Sequence, residues 1–296
     1  MILNKRIFTA TLSIVTIVAG LALLSGMPSL TLSAPSRDAA AAPSPSAGLT
    51  LVFADEFDGS SVDRTKWYVG GKPNSDGGQW GGAHFVGPNE PQFASVYHVG
   101  DGVLTITAHH DVAYQDPERW GRKWYSGHLS AGFRDGRTSV AQRQGYFEAR
   151  MKFPDVPGAW PGFWLLNVAS IDQTKQPITV EEDVVEAYGH DVNSYVFTQH
   201  AWRVPRGSPG DAQVQVRQLP NTSADFHTYG ARITSTEIIV YFDGVEKGRV
   251  PLAAATGVDP FFPLLDLAIS QDWPVTIPSS GTMTMQVDYV HVYAAP

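Results

Sequence analysis

The sequence predicts an all-β fold, a sandwich or a barrel of many short strands. Its composition mixes 8 Trp, 11 Tyr and 14 Phe with 28 Gly and 21 Pro, which suits strands and turns better than a helical bundle. Strand-like runs recur along the chain, and several close on a turn signal. No amphipathic helical pattern runs longer than about two turns, short of an average helix.

The first 33 residues stand outside that fold. Lys5 and Arg6 precede an uncharged, mostly apolar run from Ile7 to Leu24, which reads as a secretory signal. The run is long enough that an uncleaved signal anchor is the competing reading. Residues 34–48 form an Ala/Pro/Ser linker. Export would make the protein secreted or extracellular, or place it in the periplasm or cell envelope. Diffusible nucleoside triphosphate is scarce there, so a kinase is disfavoured. Residues 49–296 then read as one domain without linker or internal repeat. Its clearest strands are Leu104–Ala108, Gly145–Phe153, Ser194–Trp202, Glu237–Phe242 and Met283–Tyr293. Asp243-Gly244, between Glu237–Phe242 and Val245–Val250, is a strong hairpin signal.

Charge and cysteine count narrow the function. The net charge of −8 argues against a nucleic-acid partner, which needs a basic footprint. With no Cys there is no disulfide scaffold, thiolate metal site or thiol nucleophile.

The most informative segment is Val180-Glu-Glu-Asp-Val-Val-Glu-Ala-Tyr188, with Glu181, Glu182, Asp183 and Glu186 within six residues. On a loop this would be a solvated acidic run. Interleaving with Val180, Val184, Val185 and Tyr188 places it in a sheet, where like charges repel and folding alone would avoid them. Strict alternation puts Glu181 and Asp183 on one face and Glu182 and Glu186 on the other. A β-bulge at Val184–Val185 would bring Glu186 round to join Glu181 and Asp183. Two Glu carboxyls could then approach to about 5–6 Å, the spacing of nucleophile and acid/base in a retaining glycosidase. Asp183 between them would add negative charge and help keep a proton on a neighbour. Without the bulge, Glu182 and Glu186 would share the face.

Glu181-Glu-Asp-Val-Val-Glu186 resembles the E-x-D-x-x-E signature of glycoside hydrolase family 16, the laminarinase, agarase and carrageenase family. Other segments resemble the family in its order: Phe53-Ala-Asp-Glu-Phe-Asp-Gly59, Asn89-Glu-Pro-Gln-Phe93, Gly145-Tyr-Phe-Glu-Ala-Arg-Met-Lys152, Trp160-Pro-Gly-Phe-Trp-Leu-Leu166, Asp225-Phe-His-Thr-Tyr-Gly230 and Val287-Asp-Tyr-Val-His-Val-Tyr293. The resemblance implies a concanavalin-like jelly roll of two antiparallel sheets with a concave glycan cleft. It also implies retaining endo-hydrolysis, with Glu181 as nucleophile, Asp183 as assisting carboxylate and Glu186 as acid/base. No cofactor is implied for catalysis. Where the family usually has an aliphatic residue, this chain has Glu182, which the bulged register turns toward the core.

Sugar rings present flat C–H faces, so aromatics with a polar edge suit a glycan cleft. Trp160, Trp164, Trp202 and Trp273 are the candidates, with His200 on the same strand face as Trp202. His227 reads as structural. No pair of His stands at zinc-ligand spacing. Asp288 matches the position of a structural calcium in many family members, and hard oxygen ligands suit that ion. The expected partner is a polysaccharide, either β-1,3-glucan or a galactan or exopolysaccharide. No membrane contact is expected unless the signal is an uncleaved anchor, and a monomer is the default. The rival readings are a transglycosylase that remodels envelope or exopolysaccharide glycans and a non-catalytic, lectin-like sandwich.

Overall fold

The computed structural model describes residues 44–296 except 74–77, 176, 205, 208 and 254–258. The export segment and most of the linker lie outside the described residues. Pro43–Pro296 forms one compact unit. No helix among the described residues is long and apolar enough to cross a membrane.

In chain order the strands are β1 (Thr50–Asp55), β2 (Tyr68–Val69), β3 (Ala83–Phe85), β4 (Tyr97–Gly100), β5 (Val103–His110), β6 (Trp124–Ser126), β7 (His128–Ser130), β8 (Gly145–Lys152), β9 (Ala159–Asn167), β10 (Thr179–Tyr188), β11 (Asp191–Trp202), β12 (Ala212–Val216), β13 (His227–Ile233), β14 (Glu237–Phe242), β15 (Val245–Pro251), β16 (Phe261–Ile269) and β17 (Thr282–Ala294). Among the described residues helix is limited to one turn at Phe93–Val96 and 3-10 turns at Val168–Ile171 and Gln173–Lys175. The predicted hairpin forms between β14 and β15. Its turn residues Asp243 (φ 48°) and Gly244 (φ 72°) are both left-handed, as a tight hairpin requires.

The strands form two sheets. One runs β15-β14-β13-β8-β17-β5-β6-β3, with β1 beside β17 and β4 beside β5; the other runs β12-β11-β10-β9-β16-β7-β2. Pairing is antiparallel except for β3 with β6, which is parallel. The expected jelly roll of two antiparallel sheets is present, with this one parallel pair at an edge of the larger sheet. A long connection separates these two strands, and parallel pairing needs one.

Alternation decides which side chains enter the core. Leu104, Ile106 and Ala108 of β5 and Phe147, Ala149 and Met151 of β8 are fully buried on one sheet. Phe163 and Leu165 of β9, Phe197 of β11 and Leu265 of β16 meet them from the other. Between them lies a single apolar core, which leaves the outer face of the seven-stranded sheet free for polar groups.

Candidate active site

The site is built on β10, held between β9 and β11. Glu181, Glu182 and Asp183 pair with Leu166, Leu165 and Trp164 of β9. The register then slips: Val185 pairs with Phe163 and Glu186 with Gly162, leaving Val184 unpaired. The same slip occurs against β11 between Asp183 and Glu186. This is the bulge expected from the sequence, and Glu186 joins Glu181 and Asp183 in lining a cavity of about 280 Å³. Glu182 takes the opposite side and is fully buried in the core, with no hydrogen-bond partner for either carboxyl oxygen among the described residues.

Each acid has a distinct setting. Lys72 Nζ donates to Glu181 Oε2 at 3.2 Å, with the ammonium also over the rings of Trp80 (5.0 Å) and Trp164 (4.8 Å). Trp160 Nε1 donates to Glu186 Oε1 at 2.8 Å. His200 Nε2 lies 3.5 Å from Asp183 Oδ2. Burial raises the pKa of Glu186 above the usual carboxylate range, with the charge of Glu181 adding to it; donors from Tyr188 and Trp160 and the nearby His200 pull it back. Asp183 is raised well above that range by burial, then by the charges of Glu181 and Glu186. The sequence reading takes Asp183 as a standing negative charge. Burial between two other acids works against that charge and favours the protonated form.

A fourth acid belongs to the cavity. Asp266 on β16 is buried and pairs across the sheet with Gly162, the residue that pairs with Glu186. Trp164 Nε1 donates to its Oδ1 at 2.7 Å and the Ala268 amide to its Oδ2 at 3.0 Å. Burial pushes its pKa up to about 8 against those donors. A Cβ at Gly162 would lie 3.3 Å from Asp266 Oδ1 and 3.4 Å from Trp164 Cδ1. Glycine there keeps the floor open between Asp266 and Glu186.

The family profile described as Beta-porphyranase A-D, GH16 domain, matches residues 49–295. The chain belongs to glycoside hydrolase family 16. Over 261 residues it is 36% identical to the endo-1,3-1,4-β-glycanase EglC of Rhizobium meliloti (strain 1021), covering 83% of this chain and 52% of that one. The endo-1,3-1,4-β-glycanase ExsH of the same organism is 32% identical with the same two coverages. The chain thus spans about half the length of these curated relatives. Among solved structures, LamAcat from Zobellia galactanivorans is similar with a TM-score of 0.69 at 23% identity, covering 84% of this chain and 99% of that one. The laminarinase from Rhodothermus marinus gives 0.67 at 25%, covering 83% and 97%. The fold is the jelly-roll sandwich of glycoside hydrolase family 16.

The expected family 16 residues fall in four places. Glu181, Asp183, Glu186, Trp160, Trp164 and His200 line the cavity. Trp202 stands at its margin, 43% exposed, with its ring stacked 5.4 Å from His200. Trp273 packs edge-on against Trp160 and Tyr188, both partners of Glu186, so it buttresses the acid from outside the cavity. Asp288 lies on β17 of the other sheet, where its Oδ2 accepts from Arg150 Nη1 at 2.5 Å. A wider hollow of about 680 Å³ beside Arg134 and Lys175 is not the site, because its acids Asp135 and Asp172 are paired with Arg137 and Lys175 on turns.

Sequence reasoning misses Lys72 and Asp266. Lys72 sits in an irregular Gly-Gly-Lys-Pro segment whose spacing signals nothing. Asp266 does leave a signal: it is the lone charged residue in the nine-residue apolar run Phe261–Ile269, and an acid in such a run needs a reason.

Proposed function

We propose that this chain is an exported, endo-acting glycoside hydrolase that cuts β-1,3- or mixed β-1,3-1,4-glucan with retention of anomeric configuration. One observation carries the reading: the bulge at Val184 sets Glu181, Asp183 and Glu186 on one face, with Trp160 bonded to Glu186 and Lys72 to Glu181. In the first step Glu186 gives its proton to the glycosidic oxygen. The bond to the anomeric carbon breaks as Glu181 attacks that carbon, forming a glycosyl ester. In the second step Glu186, now a carboxylate, takes a proton from water, whose oxygen displaces Glu181. Two inputs, one glycosidic bond and one water, give a new reducing end and restore both carboxyls. The raised pKa of Glu186 suits the acid role. The proposal calls on no cofactor.

The relatives' names support a β-glucan, and the porphyranase-type profile keeps galactan in the test. Purified protein incubated with laminarin, mixed-linkage β-glucan, agar and carrageenan should release oligosaccharides from a β-glucan, with the β-anomer appearing first. Monosaccharide as the sole early product, or first release of the α-anomer, would sink the reading.

Two further results are expected. Trp160→Phe removes a donor that lowers the pKa of Glu186. Since Glu186 works as an acid only while protonated, the alkaline limb of the activity profile should move to higher pH. A limb that stays in place or moves down would detach Trp160 from the acid. Calcium at Asp288 would have to compete with the Arg150 guanidinium for the same carboxylate. A chelator should therefore leave the melting temperature unchanged, and a drop would assign a calcium there.

A further inference from the structure

We propose that Trp120 is an outer platform for the polysaccharide, a sugar-stacking position beyond the catalytic cavity. This rests on the glycan-hydrolase reading above and extends it to a site on the segment between β5 and β6. Trp120 is 54% exposed, more than any other tryptophan among the described residues. Leaving an indole in water is unfavourable. The surrounding chain nonetheless holds it there with unusual care.

The hold is a charge network centred on a buried arginine. Arg122 is 5% exposed, and its guanidinium lies 4.3 Å from the centre of the Trp120 ring. One ring face is therefore backed by a cation and the other is left for a ligand. The guanidinium is fixed by Asp116 (Nη2 to Oδ1 at 2.8 Å, Nε to Oδ2 at 3.0 Å), by Glu118 and by the carbonyl of Ala83 at 3.1 Å. Asp116 Oδ2 also accepts the backbone amides of Trp120 at 3.0 Å and Arg122 at 3.2 Å. Glu118 in turn meets His84 Nδ1 at 2.7 Å, and His84 Nε2 meets Glu90 at 2.8 Å. The turn is strained at Arg119 (φ 62°), a non-glycine residue in the left-handed region just before Trp120, while Gly121 (φ 81°) after it adopts that region freely. Strain of this kind in a non-glycine residue gathers at ligand clamps.

The segment that holds the platform also leads to the cavity. The Ala83 carbonyl that holds Arg122 stands three residues from Trp80, a wall of the cavity, so the chain between them spans at most about 10 Å. That segment is tied to the end of β16 and the loop after it by Gly82 N on the Ile269 carbonyl at 2.6 Å and by Gln271 Nε2 on the Gly81 carbonyl at 2.5 Å. A glycan too long for the 280 Å³ cavity therefore meets a rigid surface that carries an open indole face. The flat C–H face of a sugar ring is the chemistry that fits it.

The test compares wild type with Trp120→Ala and Trp120→Tyr on polymeric mixed-linkage β-1,3-1,4-glucan and on a short oligosaccharide of the same linkage. Trp120→Ala should raise KM for the polymer about fivefold, the size of one aromatic stacking contact. It should leave kcat, KM for the oligosaccharide and the melting temperature unchanged, and Trp120→Tyr should restore most of the loss. An unchanged polymer KM, or the same change on both lengths, would overturn the platform. Native gels holding mixed-linkage β-glucan, laminarin, agarose or carrageenan read binding without turnover. If wild type cuts none of these glycans but is retarded more than Trp120→Ala, the hydrolase reading fails and the platform stands. Equal migration in every gel overturns the platform.

Discussion

Glu181→Gly should lower kcat on the order of 10⁴-fold or more, the scale on which other covalent enzymes respond to loss of their nucleophile, about 5 kcal/mol in the barrier. Azide should restore turnover. With the carboxylate gone, the small anion enters from the face Glu181 occupied while Glu186 still protonates the leaving oxygen, so the glycosyl azide formed has inverted configuration. Glu186→Ala should behave differently. Loss of a general acid costs about 10²–10⁴-fold, least with a substrate whose leaving group needs no proton. The glycosyl ester on Glu181 would then wait for a nucleophile, and azide would resolve it with net retention. Both outcomes require the two carboxyls to reach one bond. They line one cavity, with Lys72 fixing Glu181 and Trp160 fixing Glu186. Retained product from Glu181→Gly, or inverted product from Glu186→Ala, would exchange or remove these roles. Glu182→Gln should leave activity within about tenfold, or 1.4 kcal/mol, since that side chain faces away from the cavity.

The bulge was legible in the sequence because the alternation of β10 puts Glu186 on the wrong face unless one residue is skipped. The strands around it were legible for a similar reason. Apolar alternation, Asp243-Gly244 and the Gly and Pro breaks act over a few residues, and that is the range at which a sequence can be read directly. The rest of the site depends on contacts between distant segments. Lys72 reaches Glu181 across 109 positions and Trp164 reaches Asp266 across 102, and no local pattern encodes such a pairing. The raised pKa of Asp183 is of the same kind. Its charge neighbours are adjacent in sequence, but the burial that dominates its pKa comes from the packing around it. Trp273 illustrates the limit from the other side: an aromatic in a cleft-like loop was legible, but whether it faces sugar or buttresses Trp160 was not.

Glu182→Leu should stabilise the protein, and by more as the pH rises. The carboxyl of Glu182 is fully buried between Leu165 and Gln199, with both oxygens unpaired among the described residues. Gln199 offers no help, since its amide already serves the carbonyls of Gly210 and Pro251 and the amide of Ala253. Burial, with the charge of Glu181 added, raises the pKa of Glu182 well above the carboxylate range, so the folded protein holds a proton there that the unfolded chain releases. The folded state therefore binds more protons, and stability falls as pH rises above the unfolded value of about 4.3. The loss is about 1.4 kcal/mol per pH unit until Glu182 itself ionises in the fold. Asp183 and Asp266 contribute in the same direction, so only the difference between variant and wild type isolates Glu182. Near pH 4 that difference should reflect only the unpaired acid, about 1–3 kcal/mol, which for a domain of this size is several degrees in melting temperature. Toward neutral pH it should widen. Glu182→Gln separates the two effects: it cannot titrate, so its stability should flatten with pH like that of Glu182→Leu, while it keeps an unpaired polar group and stays the less stable of the two. Melting curves from pH 4 to pH 8 decide it. A Glu182→Leu protein less stable than wild type across that range would mean that the carboxyl has a partner the core depends on.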